Sequence, residues 1–236
     1  MKLLAPLTAL ATLAFAAAPF VTAPFSGFRE DQLPIPQLDP PIQPAGYAFA
    51  IWGVIYTWLV VSALFGVFAR RDDAGWNAAR PALIVSLAIG AAWLWIANAS
   101  AIWASVTIWM MLAFALIALR AAPQKDQGWL RLPIGLYAGW LSAASFVSLA
   151  VTLAGYGVFL DGAGWALVGL PAATLFALAM LSWTGTTLTY GIAVIWALIG
   201  VAANPSTTLI LVLALGGAVL VALATLLPIW RGARRA

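Results

Sequence analysis

The stretch "PPIQPAGYAFAIWGVIYTWLVV" (residues 40–61) joins rigid residues to a long apolar segment. Its prolines disfavour a continuous helix as far as Pro44, and an apolar run extends from there to about residue 69. A helix needs about 20 apolar residues to cross the roughly 30 Å hydrocarbon core of a bilayer. The run therefore predicts a membrane-spanning helix that begins at the end of a proline-rich loop and carries Trp52 and Tyr56 in its first turns.

The rest of the chain has the same apolar character. Hydrophobic residues make up 64% of the 236 positions and charged residues only 8%, whereas a soluble domain is about half apolar and a quarter charged. A soluble fold of this size would expose much of that apolar surface to water. The composition therefore predicts an integral membrane protein whose principal partner is the lipid bilayer.

Eight apolar segments are long enough to span the membrane. They cover about 3–22, 45–69, 81–98, 100–119, 132–154, 164–183, 185–203 and 207–229. Stretches such as "LVLALGGAVLVALATLLPIW" lack the period-two alternation of a barrel strand, so we predict an all-α, polytopic transmembrane helix bundle. The first segment follows Lys2 and has small residues typical of a signal peptide, so seven spans remain if it is cleaved. We expect it to be retained.

The basic residues are distributed unevenly between the two ends of these spans. Ten of the 11 fall on one side, namely Lys2, Arg70, Arg71, Arg80, Arg120, Lys125, Arg131, Arg231, Arg234 and Arg235. Only Arg29 falls on the other. The positive-inside rule then places both termini in the cytoplasm, and we expect a bacterial inner membrane protein. Because topology explains the net charge of +4, we expect no nucleic-acid partner.

The loop at residues 23–44, called the outer loop below, is the one long segment outside the predicted spans. Five prolines between positions 34 and 44 favour an extended, semi-rigid path. Two interpretations are open. The loop either lies across the outer face of the bundle as a lid or is a tethered polar connector.

The chemistry available to the chain is limited, because it has no Cys and no His. Thiol catalysis, disulfides, imidazole metal sites and His-ligated haem are therefore excluded. The outer carboxylates of Glu30, Asp31, Asp39 and Asp161 show no spacing typical of an acid–base pair. We predict no catalytic residue, no metal site and no required cofactor.

Tryptophan is the most informative residue type, with 13 in the chain. Membrane proteins enrich Trp at both interfaces, and this interfacial belt accounts for Trp76, Trp129, Trp183, Trp230 and Trp165. Of the remaining aromatic residues, helices two to five present Trp52, Trp93 or Trp95, Trp103 and Tyr56 at similar depth in the outer half. They are either ordinary core aromatics or the wall of a ligand site.

The spacing of the remaining rings favours a ligand site. Phe49, Trp52 and Tyr56 recur at three and four residues on the second helix and so share one face. Flat rings beside small residues bind a flat apolar molecule by stacking and burial. The candidate ligand-binding residues are Tyr47, Phe49, Trp52, Tyr56, Trp93, Trp95, Asn98, Trp103, Tyr137, Trp140, Ala144 and Ser148.

These motifs resemble the TspO/MBR family, the translocator-protein or tryptophan-rich sensory protein group. A proline pair precedes a Trp-x3-Tyr motif (Trp52, Tyr56), "LYAGWLSAA" is similar to the family's fifth helix, and "WLWIANASAIW" is similar to its third. Phe49 stands one position nearer the Trp than the family Phe. Ala50 and Leu136 replace family prolines, and Ser148 replaces a polar Asn.

The resemblance implies a five-helix region over residues 1–155, with residues 156–236 adding three transmembrane helices and a basic tail. It also implies a ligand-binding sensor or regulatory protein whose hydrophobic planar ligand is a porphyrin or other tetrapyrrole. Trp52, Tyr56, Tyr137 and Trp140 would be pocket walls by the same resemblance.

Two other functions are open on sequence. An uncoupled transporter of a small amphipathic molecule fits the lack of ionisable residues within the predicted spans, and "VGLP" (168–171) predicts a break in helix six that either marks a transport site or is a packing kink. An accessory subunit of a larger membrane complex, or a homodimer, fits small-residue seams such as Gly216-Gly217.

Overall fold

The computed structural model describes residues 3–185 and 187–233, with side chains as far as Leu227. It confirms the all-α transmembrane bundle, and no strand occurs in these ranges. The helices are α1 (Leu4–Val21), α2 (Ile51–Phe68), α3 (Ala74–Ala99), α4 (Ala101–Ala121), α5 (Arg131–Gly155), α6 (Gly162–Thr184), α7 (Leu188–Ala202) and α8 (Thr208–Ala233), with 3-10 turns at Glu30–Gln32 and Gly46–Ala50. Lys2, Arg234, Arg235 and the side chains of Trp230 and Arg231 lie outside the described residues.

Seven of these helices are long and apolar enough to cross a membrane. The exception is α7, whose 15 residues span about 22 Å at 1.5 Å per residue. A carbonyl near the C-terminal end of α7 accepts a hydrogen bond from the loop, because the Ala45 N–H donates to the Gly200 carbonyl (2.9 Å). The chain entering α2 therefore covers the outer end of the short helix.

Helix α5 lies at the centre and is the most buried of the seven long spans. On one side α1 packs on α2 and α3, α3 packs on α4, and α4 packs on α5; on the other side α5 contacts α6 and α7, and both contact α8. The α5–α7 contact is close because a Cβ on Gly139 would collide with the carbonyl oxygen of Tyr190. Small residues permit such approach between membrane helices.

Helix α3 begins seven residues earlier than predicted, at Ala74 instead of residue 81. The Asp73 carboxylate accepts from the backbone N–H of Trp76 (3.0 Å) and so caps the helix. Arg80, predicted in a loop, therefore lies two turns inside α3 and is only 1% exposed. Trp76, predicted in the interfacial belt, is also buried, with the Arg80 guanidinium 5.6 Å from its ring centroid.

Arg80 and Arg131 stabilise helix ends at the side predicted to be cytoplasmic. Arg80 donates to the carbonyls of Gly66 (2.9 Å), Arg70 (3.0 Å) and Arg71 (2.9 Å), at the end of α2. Arg131 donates to the carbonyls of Leu119 (3.1 Å) and Ala122 (3.0 Å) at the end of α4, and to those of Thr184 and Gly185 at the end of α6. A cation suits these positions because unpaired carbonyls make a helix C-terminus negative.

The break predicted near the middle of helix six is absent. Helix α6 continues from Gly162 to Thr184 through Pro171. Membrane helices tolerate proline where neighbouring helices and local adjustment satisfy the freed carbonyl. The sequence "VGLP" therefore does not mark a discontinuous helix here.

Candidate ligand-binding site

A cavity of about 320 Å³ lies among α1 to α5 beneath the outer loop. This volume is at the lower end of the range typical of small-molecule sites. All five helices and the loop contribute to its wall. The lining residues are Phe15, Pro19, Ala23, Pro24, Phe25, Gly27, Phe28, Gln43, Pro44, Phe49, Trp52, Tyr56, Gly90, Trp93, Leu94, Ile108, Met111, Trp140, Ala143, Ala144, Val147, Ser148 and Val151.

Three rings, called the ring stripe below, form one side of the cavity: Phe49 in the 3-10 turn before α2, and Trp52 and Tyr56 in the first turns of α2. Trp52 and Tyr56 are one helical turn apart and stack with centroids 5.3 Å apart and planes inclined at 18°. Trp140 of α5 meets Trp52 edge-on at 6.2 Å and Phe49 at 5.8 Å. The rings therefore hold one another in place, since edge-to-face and offset-stacked pairs are the favoured aromatic geometries.

Phe15 of α1 is the central ring that sequence reasoning missed. It is 3% exposed and lies edge-on to Tyr56 (5.0 Å), Tyr137 (5.5 Å) and Trp52 (6.0 Å). Gly90 leaves room for it, because a Cβ there would come within 2.7 Å of the Phe15 ring. No sequence signal singled out Phe15, since α1 is apolar on all faces and shows no stripe.

The opposite wall is fixed by hydrogen bonds between α3, α4 and α5. The Trp93 indole N–H donates to the Ala104 carbonyl (3.0 Å), which orients the ring. The Ser148 hydroxyl lies 2.7 Å from that of Ser105. Trp93 and Ser148 therefore each have a hydrogen-bond partner within the bundle itself.

The first part of the outer loop covers the cavity. Phe25 packs edge-on against Trp93 with centroids 5.2 Å apart, and Phe28 packs on Phe25 at 5.6 Å. Polar contacts with the end of α3 hold this part. Arg29 donates to the Asn98 carbonyl (3.1 Å), Gln32 to the Ala97 carbonyl (2.7 Å) and the Asn98 amide to the Ala23 carbonyl (3.3 Å). The loop therefore lies as a lid, one of the two arrangements that the sequence left open.

The second part of the outer loop and the chain leading into α2 contact the last helices. The Ile35 N–H donates to the Gly155 carbonyl (2.9 Å) at the end of α5, and Ile42 packs against Gly169 of α6. The Trp196 indole N–H of α7 donates to the Ala48 carbonyl (2.8 Å). Helices α5 to α7 therefore hold the segment that positions the ring stripe.

The structure brings seven of the predicted site residues together around the cavity. These are Phe49, Trp52, Tyr56, Trp93, Trp140, Ala144 and Ser148. Tyr137 lies behind Phe15, fully buried, with its hydroxyl 3.0 Å from that of Ser86. It supports the wall without lining it.

The other four predicted residues lie away from the cavity. Tyr47 packs edge-on against Trp196 at 5.6 Å, and Asn98 holds the loop. Trp95 and Trp103 are 52% and 63% exposed and lie on the surface of the bundle. Trp95 faces away because two residues along a helix turn the side chain through about 200° relative to Trp93.

The cavity reaches the surface where α1 passes into the outer loop. Its three exposed lining residues, Pro19, Ala23 and Pro24, all lie there. Among the described residues that line the cavity, none carries a charge. The polar groups that remain are an amide, hydroxyls and indole N–H groups, so the site suits an apolar, uncharged surface.

A family model described as TSPO-like protein matches residues 5–227. The match extends through α6 and α7 and most of α8, so the family model is not confined to the first five helices. No curated protein matches the chain, and no solved structure does.

Proposed function

The chain belongs to the TSPO-like family, and from this membership and the aromatic cavity we propose that it is a membrane ligand-binding sensor or regulatory protein. The ligand is a flat apolar molecule such as a porphyrin or another tetrapyrrole. It lies in the cavity between the ring stripe of α2 and the wall formed by α3 to α5.

The observation that carries this proposal is the group of interlocked rings at the cavity, Phe15, Trp52, Tyr56 and Trp140. Rings already held by edge-on and stacked contacts lose little side-chain entropy when a ligand binds. They present both faces and edges to a planar molecule, for which stacking adds to the free energy of burial. The lid over the cavity would exclude water from the bound ligand.

The proposed role is binding without chemical turnover. A reaction on a bound macrocycle would need an acid, a base, a nucleophile or a redox group in contact with it. The described lining residues offer only the Tyr56 and Ser148 hydroxyls, and the Ser148 hydroxyl already contacts Ser105. The site therefore supports recognition better than catalysis.

Titration with protoporphyrin tests the proposal. The double variant Trp52→Leu plus Trp140→Leu removes two ring walls, and we expect at least about tenfold weaker binding, equivalent to about 1.4 kcal/mol. Binding is followed by the change in porphyrin absorption, so that the loss of indole fluorescence does not affect the readout.

The matched control is Trp95→Leu plus Trp103→Leu, which removes two indoles from the outer half of the bundle but outside the cavity. Affinity equal to that of the unmodified protein is expected for this control. The proposal fails if both double variants bind protoporphyrin as tightly as the unmodified protein, or if both lose binding equally while remaining folded.

A further inference from the structure

We infer that the cavity selects its ligand by charge, and that it takes uncharged planar molecules in preference to those that carry ionised carboxylates. Among porphyrins this means esterified macrocycles rather than the free dicarboxylic acids. The inference rests on the proposed function and specifies the chemical class of the ligand.

The described wall of the cavity is electrically neutral. None of the described lining residues is Lys, Arg, Asp or Glu. An ionised carboxylate moved from water into such a site loses its hydration and finds no cation, which makes its transfer unfavourable. A methyl ester of the same acid carries no such penalty and adds apolar surface.

A ligand edge that projects through the opening reaches a charged part of the outer loop. The loop beyond the lining residue Phe28 continues with Arg29, Glu30 and Asp31. The Arg29 guanidinium donates to the Asp31 carboxylate (3.0 and 3.3 Å) and to the Asn98 carbonyl (3.1 Å). The contact with Arg29 lowers the pKa of Asp31 below its ordinary value, which favours the ionised carboxylate.

The charges on the outer side of the protein also disfavour a ligand carboxylate. In the described segments on that side, Arg29 is accompanied by four carboxylates, those of Glu30, Asp31, Asp39 and Asp161. Near the opening, Arg29 is paired with the Asp31 carboxylate, so a carboxylate on the ligand would meet no net positive charge there and a neutral wall inside. Neither position offers it a cation that is not already hydrogen-bonded.

Paired titrations of protoporphyrin and its dimethyl ester test the inference. The full-length protein is placed in nanodiscs of zwitterionic lipid at pH 7.5, and partition into protein-free discs is subtracted from each curve. We expect the ester to bind at least about tenfold more tightly than the free acid. Equal affinities, or tighter binding of the free acid, would overturn the inference.

The variant Gln43→Lys places a cation in the lining, and Gln43→Met is its control of similar length without the charge. Gln43 is a residue of the outer loop that lines the cavity, and its side chain contacts Gly27. We expect Gln43→Lys to raise the ratio of free-acid affinity to ester affinity several-fold relative to Gln43→Met. An equal response of both ligands would contradict selection by charge.

These measurements distinguish a failure of the proposed function from a failure of the charge selection. If neither compound binds the unmodified protein better than the Trp52→Leu plus Trp140→Leu variant, the proposed function is wrong and the inference falls with it. If both bind through those rings with the same affinity, the proposed function stands and only the charge selection is wrong.

Discussion

At the scale of single residues, Arg131 illustrates how a charge is accommodated in this apolar chain. Its guanidinium is buried at the start of α5 and donates to carbonyls at the ends of α4 and α6. One side chain therefore joins three helices at the same end of the bundle. Carbonyls at a helix C-terminus lack the N–H groups of a following turn, and this buried guanidinium supplies donors to them.

Replacing this side chain should destabilise the fold. We expect Arg131→Met to lower the stability by about 2 to 4 kcal/mol, since several hydrogen bonds to a charged donor are lost together. That loss corresponds to a fall of about 5 to 15 °C in the midpoint of thermal unfolding for a chain of this length. The measurement is thermal unfolding in detergent.

The control is Arg120→Met. Arg120 lies in the last turn of α4 and is exposed, so we expect its replacement to shift the midpoint by less than 2 °C, the effect typical of a surface change of about 0.5 kcal/mol. Equal shifts of the unfolding midpoint in the two variants would show that the hydrogen bonds of Arg131 add no more stability than an exposed arginine at the same end of the bundle does.

The rings show which parts of the site can be predicted one residue at a time. Phe49, Trp52 and Tyr56 were predicted because a helical repeat of three and four places them on one face whatever surrounds them. Trp103 was included because its depth was clear, but depth does not tell which way a side chain points around the helix. That angle depends on how α4 packs against its neighbours.

At the scale of elements, the outer loop and the short helix α7 depend on each other. Gly200 near the end of α7 leaves room for Pro44 and Ala48, and a Cβ there would come within 2.9 Å of a side-chain carbon of each. The Trp196 indole adds a hydrogen bond to the Ala48 carbonyl. The start of the ring stripe is therefore positioned by a helix remote from it in sequence.

A side chain at Gly200 should displace this segment. We expect Gly200→Val to increase hydrogen–deuterium exchange across residues 42–49 by at least about tenfold and to weaken ligand binding, because Phe49 and Trp52 lose their support. Residues 101–119 of α4 should exchange as before.

The matched control is Gly216→Val on α8, where a Cβ would meet nothing within 4 Å. We expect this change to leave exchange in the 42–49 segment unaltered. If Gly200→Val also leaves that exchange unaltered, α7 does not hold the loop.

The helices themselves were largely predictable, because eight apolar runs of bilayer length leave few alternatives. The start of α3 was not. Asn77 and Arg80 make the residues before Pro81 resemble a loop, and only the fold shows that the Arg80 guanidinium is satisfied by the carbonyls at the end of α2. A buried polar side chain whose partners are distant in sequence gives no local signal.

At the scale of the whole molecule, the distribution of basic residues predicts orientation. One end of the bundle carries Arg70, Arg71, Arg80 and Arg131. The contacts described above place Arg80 at the end of α2 and Arg131 at the end of α4. Arg29 lies in the outer loop. We propose that the first group faces the cytoplasm, as the positive-inside rule predicts.

The absence of cysteine from the chain makes this orientation testable with single-cysteine variants. Leu38→Cys in the outer loop and Lys125→Cys between α4 and α5 both replace exposed residues. We expect a membrane-impermeant maleimide to label Leu38→Cys in intact spheroplasts and Lys125→Cys only after permeabilisation. The opposite pattern would show that the bundle is inserted the other way round.

The division of the chain at residue 155 stays a prediction. The resemblance of individual motifs covered the first five helices, whereas the family model extends to residue 227. In the fold, α7 packs on α5 and holds the approach to α2, so the last helices take part in positioning the cavity. Motif spacing could not reveal this, because the contacts join residues about 150 positions apart.

The neutral wall of the cavity also bears on how the site responds to the membrane potential. Moving one elementary charge across the bilayer changes the free energy by about 2.3 kcal/mol per 100 mV. When neither the ligand nor the described lining carries a charge, the electric field does no work on the transfer of ligand from lipid to site. Occupancy should then follow the ligand's concentration in the membrane and stay the same in energised and de-energised cells.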